Sequence, residues 1–212
     1  MRLHGYFRSS AAWRVRIALG LKGLPVEQSF HHLRKGEQNA PAYKALNPQG
    51  YLPALITDQG DVLTQSLAII EWLDETHPNP PLLPATPLAR AKVRAFALAI
   101  ACDTHPLQNL KILGKVRALA GGDEAKVTGW ASDIITDGFT ACEALLKGVE
   151  GPFAFGPQPT LADICLVPQI GNARRFKVDL TPFPRLCAIE AQCNTVAAFR
   201  DAATDRQPDA EP

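Results

Sequence analysis

The chain has 212 residues, 46% of them hydrophobic and 20% charged, a composition typical of a globular protein with room for one large core or two modest domains. Its 22 Lys and Arg against 21 Asp and Glu give a formal net charge of +1, so bulk charge favours neither nucleic acid nor membrane as a partner. The chain has no run near the ~20 apolar residues that a membrane-spanning helix needs, and its N-terminus lacks the apolar stretch of a signal peptide.

The five cysteines are odd in number, widely scattered and without a C-x-x-C pair. Most of them lie inside apolar helical patterns. This usage predicts reduced, buried thiols in a cytoplasmic protein, with no metal site.

The first eighty residues predict the order β-α-β-α-β-β-α. Apolar residues recur with the period of a strand in some segments and of a helix in others, and Gly and Pro separate the segments. The predicted elements are a strand at 2–7, a helix at 10–22, a strand at 26–33 and a helical turn at 42–46. They are followed by strands at 53–57 and 62–64, which a turn at 58–61 joins, and by a helix from 65. This order resembles the thioredoxin-like arrangement.

Five prolines between residues 77 and 87 predict an extended linker, because proline cannot donate within a helix. We therefore expect a first domain over 1–78, a linker over 79–87 and an all-helical second domain over 88–212. Apolar periodicity indicates helices over 88–120, interrupted at Pro106, and over 124–147.

A capping box, Thr160-Leu161-Ala162-Asp163, predicts the start of a buried helix that extends to about residue 173. Two short helices are expected near 184–192 and 195–203. The tail from 205 to 212 offers no evident apolar anchor, so the sequence predicts that it is mobile.

Ser9 and Ser10 lie where the first strand turns into the first helix. A helix N-terminus presents unsatisfied N–H groups and a positive dipole end, which favour an anion. Ser9 could be a simple helix cap, or it could donate its hydroxyl to a ligand thiolate and lower the thiol pKa from its usual value of about 8.5.

Two further pairs fit an extended peptide ligand. The backbone of Leu52, before Pro53, can pair with a peptide in the manner of a strand. Gln65 and Ser66 begin a helix and can bind a carboxylate, although each could also be a plain cap. A thiol, a peptide backbone and a terminal carboxylate together describe glutathione.

The stretch Arg8-Ser9-Ser10-Ala11-Ala12-Trp13-Arg14-Val15-Arg16-Ile17-Ala18-Leu19 resembles the signature of zeta-class glutathione transferases, the family of maleylacetoacetate and maleylpyruvate isomerases. Five further ranges are similar to that family in the same order: 45–48, 65–71, 105–109, 163–169 and 175–182. The resemblance covers essentially the whole chain. It implies an α/β plus all-α fold, with an N-terminal thioredoxin-like domain and a C-terminal helical glutathione-transferase domain that lines the substrate pocket.

The resemblance also implies roles for individual residues. Ser9, with Ser10 beside it, would act on the glutathione sulfur. The glutathione-binding set would be Ser9, Gln38, Leu52 before a cis Pro53, Gln65 and Ser66. The residues that bind an acidic co-substrate would be Arg8, His105, Asn109 and Arg175, and His105 in particular is similar to the maleylpyruvate isomerases.

Three points stay open in the sequence. Arg174 competes with Arg175 for the position facing the substrate, and an arginine there could simply be solvated. His105, before Pro106, could be a packed or capping histidine. Ala11 stands where the family signature has cysteine, which disfavours chemistry that needs a protein thiol at this turn.

The expected activity is cis-trans isomerisation of a maleyl keto acid in aromatic-compound catabolism, with glutathione as a cofactor that is not consumed. The substrate would be maleylpyruvate or maleylacetoacetate. An alternative is a transferase that conjugates small electrophiles or dehalogenates α-halo acids, and another is a non-catalytic glutathione-binding protein. The family also implies a homodimer.

Overall fold

The structure is a computed structural model that describes residues 1–211. The chain forms two compact units, one of Met1–Leu82 together with the residues from Asn194 onward, and one of Leu83–Cys193. Among the residues described, no helix combines the length and apolarity needed to cross a membrane.

The α-helices and strands follow the chain in the expected order. The strands are β1 (Arg2–Gly5), β2 (Glu27–Phe30), β3 (Ala54–Ile56) and β4 (Val62–Thr64). The helices are α1 (Ser10–Lys22), α2 (Pro41–Leu46), α3 (Ser66–Thr76), α4 (Pro87–Leu98), α5 (Leu110–Leu119), α6 (Glu124–Leu145), α7 (Leu161–Arg175), α8 (Pro184–Cys193) and α9 (Ala197–Asp201). The β-α-β-α-β-β-α prediction for the first eighty residues is confirmed.

The sheet of the first unit has the order β2-β1-β3-β4. β1 pairs parallel with β2 and antiparallel with β3, and β3 pairs antiparallel with β4 through the hairpin at 58–61. The parallel pair is connected by α1, as a β-α-β crossover requires. β2 is shorter than the strand predicted over 26–33: it ends at Phe30, and residue 33 already belongs to a 3₁₀ turn at 33–35.

Helix α1 lies at the centre of the first unit. Its Val15, Ile17 and Ala18 are completely buried, and Gly23 ends the helix in the left-handed conformation at φ 64°. Arg14 and Arg16 are also buried, at 2% and 8% exposure. Two buried arginines on one helix require acceptors from elsewhere in the chain.

The C-terminal segment packs on α1, contrary to the expected mobility of the tail. Gly20 lies so close to α9 that a Cβ there would be 3.0 Å from the Ala198 Cβ atom. Ala210 packs on the cluster that contains Tyr6 and Tyr43. The prediction for residues 205–211 was therefore wrong, because the apolar anchor is a single alanine whose partner surface is formed by residues between Tyr6 and Ala54, near the other end of the chain. Residue 212 of the tail prediction lies outside the described residues.

The compact units also differ from the domain limits expected from the sequence. The residues from Asn194 onward join the first unit, whereas the sequence placed all of 88–212 in the second domain. The proline-rich stretch at 77–87 follows the end of α3, but it carries no information on which later residues rejoin the first unit.

The second unit is helical. The helix expected over 88–120 is interrupted, as Pro106 predicted: α4 continues into π-helical turns at Ala99–Thr104 and a 3₁₀ turn at His105–Gln108 before α5 begins. Asn109 caps α5, since its side chain accepts from Ile112 N. Thus two of the predicted site residues, His105 and Asn109, lie in the irregular joint.

Helix α7 begins at the capping box predicted from Thr160 and Asp163. The Asp163 carboxylate is fully buried and accepts hydrogen bonds from Ala154 N at 2.8 Å, Thr160 N at 2.8 Å and Thr160 Oγ1 at 2.9 Å, and a longer one from Cys193 Sγ at 4.0 Å. Burial raises the pKa of Asp163, and the N–H and hydroxyl donors oppose that increase.

Candidate active site

Ser9 occupies the N-cap of α1. Its backbone has φ −72° and ψ 110°, and its Oγ accepts from Ala12 N at 3.2 Å. Ser10 is the first residue of the helix, and both serines are buried, at 8% and 4% exposure. Because the Ser9 oxygen uses a lone pair in the cap, its hydroxyl hydrogen remains for a second bond.

The peptide of Leu52 lies just before β3. The Leu52–Pro53 bond is cis, as the resemblance implied. Within residues 1–211, no hydrogen bond from the protein engages the N–H or C=O of Leu52. A ligand with an extended peptide backbone could satisfy both groups.

Gln65 and Ser66 open α3. Gln65 has φ 67°, a left-handed conformation that a side-chain-bearing residue rarely adopts, and its Nε2 donates to Gln49 Oε1 at 2.9 Å. Such an outlier is typical of a ligand site. The buried Ser66 hydroxyl accepts from Arg14 Nη1 at 3.3 Å, so the fully buried Arg14 adds positive charge near the start of α3.

Gln38 belongs to the 3₁₀ turn Glu37–Asn39 of the first unit. Its side-chain Oε1 is buried and has no hydrogen-bond partner within residues 1–211. An unpartnered buried carbonyl oxygen is costly, and a ligand N–H would remove that cost. The Gln38 oxygen and the Leu52 peptide are therefore hydrogen-bonding groups of the first unit that a peptide-like ligand such as glutathione could satisfy.

Arg8 lies in the turn between β1 and α1, directly before Ser9, and is partly exposed. No side-chain hydrogen bond or ion pair holds its guanidinium among the residues described. A solvated guanidinium beside a helix N-terminus can take an anionic group at little cost in lost contacts.

The contacts of Arg174 and Arg175 at the end of α7 bear on which of the two arginines is available to the substrate. Arg174 forms a two-pronged ion pair with Glu190 of α8, with Nη2 and Oε2 2.6 Å apart, and this interaction raises the pKa of Arg174. Arg175 donates to Asn172 Oδ1 at 2.6 Å and its Cζ lies 5.0 Å from the centre of the Phe176 ring. Arg174 thus has a partner of opposite charge on α8, and Arg175 contacts Asn172 and Phe176 at the end of its own helix.

His105 and Asn109 lie at the two ends of the 3₁₀ turn before α5. His105 is partly buried. Asn109 Oδ1 accepts from Ile112 N at 3.0 Å, so its side chain is also a helix cap. Buried Gln108, which the sequence analysis did not single out, donates to Gln169 Oε1 of α7 at 3.3 Å and ties this joint to α7.

Comparison with known proteins identifies the family of the chain. Residues 3–81 match the family described as Glutathione S-transferase, N-terminal domain. The chain is 50% identical over 211 residues to a maleylpyruvate isomerase from Ralstonia, with 99% of each chain covered. It belongs to the zeta-class glutathione transferase family.

Solved structures of family members are similar over the whole chain. One is described as the holo structure of maleylpyruvate isomerase, a bacterial zeta-class glutathione S-transferase, with a TM-score of 0.97, 49% identity and 100% of both chains covered. Another, a maleylacetoacetate isomerase from Methylobacterium extorquens AM1 with bound malonate and glutathione, has a TM-score of 0.96, 36% identity and the same coverage. The fold class expected from the sequence is confirmed.

Proposed function

We propose that this protein uses glutathione to isomerise a maleyl keto acid to its fumaryl form, as a step in aromatic-compound breakdown. The observation that carries the proposal is the buried Ser9 hydroxyl at the N-terminus of α1, in a chain 50% identical over its length to a maleylpyruvate isomerase. The bound malonate and glutathione of the Methylobacterium relative support the same ligand classes.

The first unit provides the glutathione-binding groups. In this assignment Leu52 pairs its peptide with the cysteinyl backbone, Gln65 and Ser66 bind the γ-glutamyl end, and Gln38 offers its unpartnered oxygen nearer the glycyl end. These groups correspond to the parts of a tripeptide. Gln38 offers an acceptor, Leu52 offers a backbone N–H and C=O, and Gln65 with Ser66 offers a site for a carboxylate.

When bound, glutathione would supply a thiolate that adds to the cis double bond, with the electron pair taken up by the conjugated carbonyl, and that is expelled again after rotation about the resulting single bond, so that glutathione is not consumed. The protein has to keep that thiol ionised. Ser9 does so by donating its hydroxyl hydrogen, and the N-terminus of α1 contributes its dipole. Ser10 adds a second hydroxyl to the same first turn. With Ala11 beside them, no cysteine of this turn competes with the bound sulfur.

Arg8, His105, Asn109 and Arg175 are the residues that we assign to the acidic substrate. Arginine binds carboxylates through paired N–H groups and stays charged at every relevant pH. Donors directed at the carboxylates and at the adjacent carbonyl would stabilise the negative charge that develops there, at about 3–4 kcal/mol for a well-placed donor.

The proposal is tested by supplying maleylpyruvate and maleylacetoacetate separately with a small fraction of an equivalent of glutathione. We expect many turnovers with at least one of the two substrates, while total glutathione stays constant. Glutathione consumed in proportion to product would instead indicate the conjugating transferase, and binding without turnover would indicate a non-catalytic protein.

Substrate binding is tested with Arg175→Ala against Arg174→Ala. Loss of a charged hydrogen bond to the substrate is expected to raise KM for the keto acid about tenfold to hundredfold in Arg175→Ala, with glutathione affinity unchanged. Arg174→Ala should keep KM and lose stability, because it leaves Glu190 without its ion-pair partner. The reverse outcome would reassign the substrate contact to Arg174.

We further propose a homodimer in the cytoplasm. The family resemblance supports the dimer. The five cysteines form no disulfide, which suits a reducing compartment. Light scattering during size-exclusion chromatography tests the mass of the assembly.

A further inference from the structure

The backbone of Phe7, two residues before Ser9, is held by side chains that are distant in the sequence. Phe7 N–H donates to Asp209 Oδ2 at 2.9 Å, across 202 positions of the chain. Phe7 C=O accepts from Arg16 Nη2 at 3.1 Å. Both polar groups of this residue are therefore fixed by charged side chains.

Arg16 connects the same turn to the C-terminal segment. Its Nη1 donates to Tyr6 O at 3.5 Å, and its Nε donates to Ala202 O at 3.2 Å. Burial lowers the pKa of Arg16 to about 10, and Asp209 opposes the decrease, so the guanidinium is charged at neutral pH. A buried charged guanidinium is stable only where carbonyl groups are arranged around it, which makes its position specific.

The segment that carries Asp209 is itself anchored. Gln207 Nε2 donates to Asp201 O and Ala203 O, each at 2.9 Å. Glu211 pairs with His32 at 2.6 Å and also with Arg34. Asp209 is thus presented to Phe7 from a segment held on both sides of it.

We propose that Asp209 and Arg16 are positioning residues, which hold the Tyr6–Phe7 backbone and so set the place of the Ser9 hydroxyl toward glutathione. Ser9 depends on this backbone directly, because its N–H donates to Tyr6 O at 3.0 Å, the carbonyl that Arg16 also contacts. Small displacements of a reacting group have large effects on rate. The inference rests on the proposed function for its catalytic consequence, but not for the geometry of the turn.

The test uses Asp209→Ala, Asp209→Asn and, as a matched control, Asp205→Ala. Asn keeps an oxygen that can accept from Phe7 N–H. Asp205 is an exposed carboxylate of the same segment, without a hydrogen bond or ion pair among the described residues, so its loss changes the net charge equally. Amide exchange of Phe7 and Ser9 is read by NMR in the ligand-free protein, followed by glutathione affinity from calorimetry, and then kcat and KM.

In Asp209→Ala we expect amide exchange at Phe7 to quicken at least tenfold, while Leu3 in the middle of β1 keeps its wild-type rate. Glutathione affinity and kcat should both fall severalfold. Asp209→Asn should retain most of the protection and activity, and Asp205→Ala should match the wild type throughout. Ending the chain at Pro208 removes the same hydrogen bond together with the contacts of Ala210 and Glu211, and serves if Asp209→Ala does not fold.

Unchanged exchange at Phe7 would overturn the proposal, and so would equal acceleration at Leu3, since that would be a general loss of stability. If Asp209→Asn were as impaired as Asp209→Ala, charge and not the hydrogen bond would matter, and the positioning role would be wrong. Failure of the proposed function would appear differently, as a wild-type protein that neither binds glutathione nor isomerises, with the exchange contrast intact.

Discussion

Removal of the Ser9 hydroxyl separates two roles of one oxygen atom. Ser9 Oγ caps α1 by accepting from Ala12 N at 3.2 Å, and in the proposed function the same group donates its hydrogen to the glutathione thiolate. Ser9→Ala therefore deletes a cap and a catalytic donor together. The two losses differ in size and in the measurement that reveals them.

The cap contributes about 1 kcal/mol to stability. A hydrogen bond to a charged group contributes about 1.5–3 kcal/mol, which corresponds to roughly 1–2 units in the pKa of the bound thiol. The thiolate fraction at neutral pH should then decrease about tenfold to hundredfold, with a similar decrease in kcat. Glutathione affinity should change little, because its peptide and carboxylate contacts remain.

The assay is a pH titration of the bound thiol by its ultraviolet thiolate absorbance, combined with steady-state rates across the same pH range. Thr86→Ala is the matched control, since Thr86 caps α4 in the same way, with its Oγ1 accepting from Ala89 N at 3.4 Å. Both variants should lose comparable stability in urea. Only Ser9→Ala should shift the thiol titration upward.

If Ser9→Ala keeps the wild-type thiol titration, or loses no more activity than Thr86→Ala, then Ser9 is only a helix cap. The proposed activation would then have to come from the helix N-terminus alone. A variant with lost glutathione affinity and unchanged kcat would contradict the assignment in a different way, by making Ser9 a binding residue.

Two further predictions concern stability. Asp163→Ala leaves three buried N–H and O–H donors unpaired, and we expect the free energy of unfolding in urea to decrease by about 3–5 kcal/mol. The control is Asp179→Ala, whose carboxylate accepts similar bonds from a threonine on the exposed surface and should matter far less. Equal losses in the two variants would show that burial is unimportant here. His4 Nδ1 and His31 Nε2 lie 2.8 Å apart, and burial lowers the pKa of both histidines. The stability that the neutral pair contributes is therefore fully present above the unfolded-state pKa of about 6.5, and it is lost as the pH falls through the lowered pKa values of the folded protein. The urea midpoint should therefore fall on acidification, less steeply in His31→Gln, and an equal slope in that variant would refute the role of the pair.

Much of the first unit could be predicted from the sequence because its signals are local. The alternation of β1, the Gly-Pro ending of α1 and the turn at 58–61 each depend on a few adjacent residues. The break at Pro106 and the capping box of α7 are local for the same reason. What could not be predicted was the form of the break, because π-helical and 3₁₀ turns have no pattern distinct from that of the helices around them.

The candidate site divides in the same way. The glutathione-binding groups at Ser9, Leu52 and Gln65 follow helix starts and a proline, which can be recognised in the chain. The left-handed backbone of Gln65 had no sequence signal, since glycine is the residue expected at such a φ. Likewise, the partner of Arg174 is Glu190 of the next helix, and no spacing within α7 indicates that pair.

By itself, the sequence determined the order of the elements, the family and the chemical character of the Ser9 turn, because each of these is written in short runs of residues. Only the tertiary structure decided what surrounds that turn. Arg14 and Arg16 are buried although they are charged, and the tail expected to be mobile places Asp209 on Phe7 N–H. These contacts join residues up to 202 positions apart, and such distances leave no trace in a local pattern.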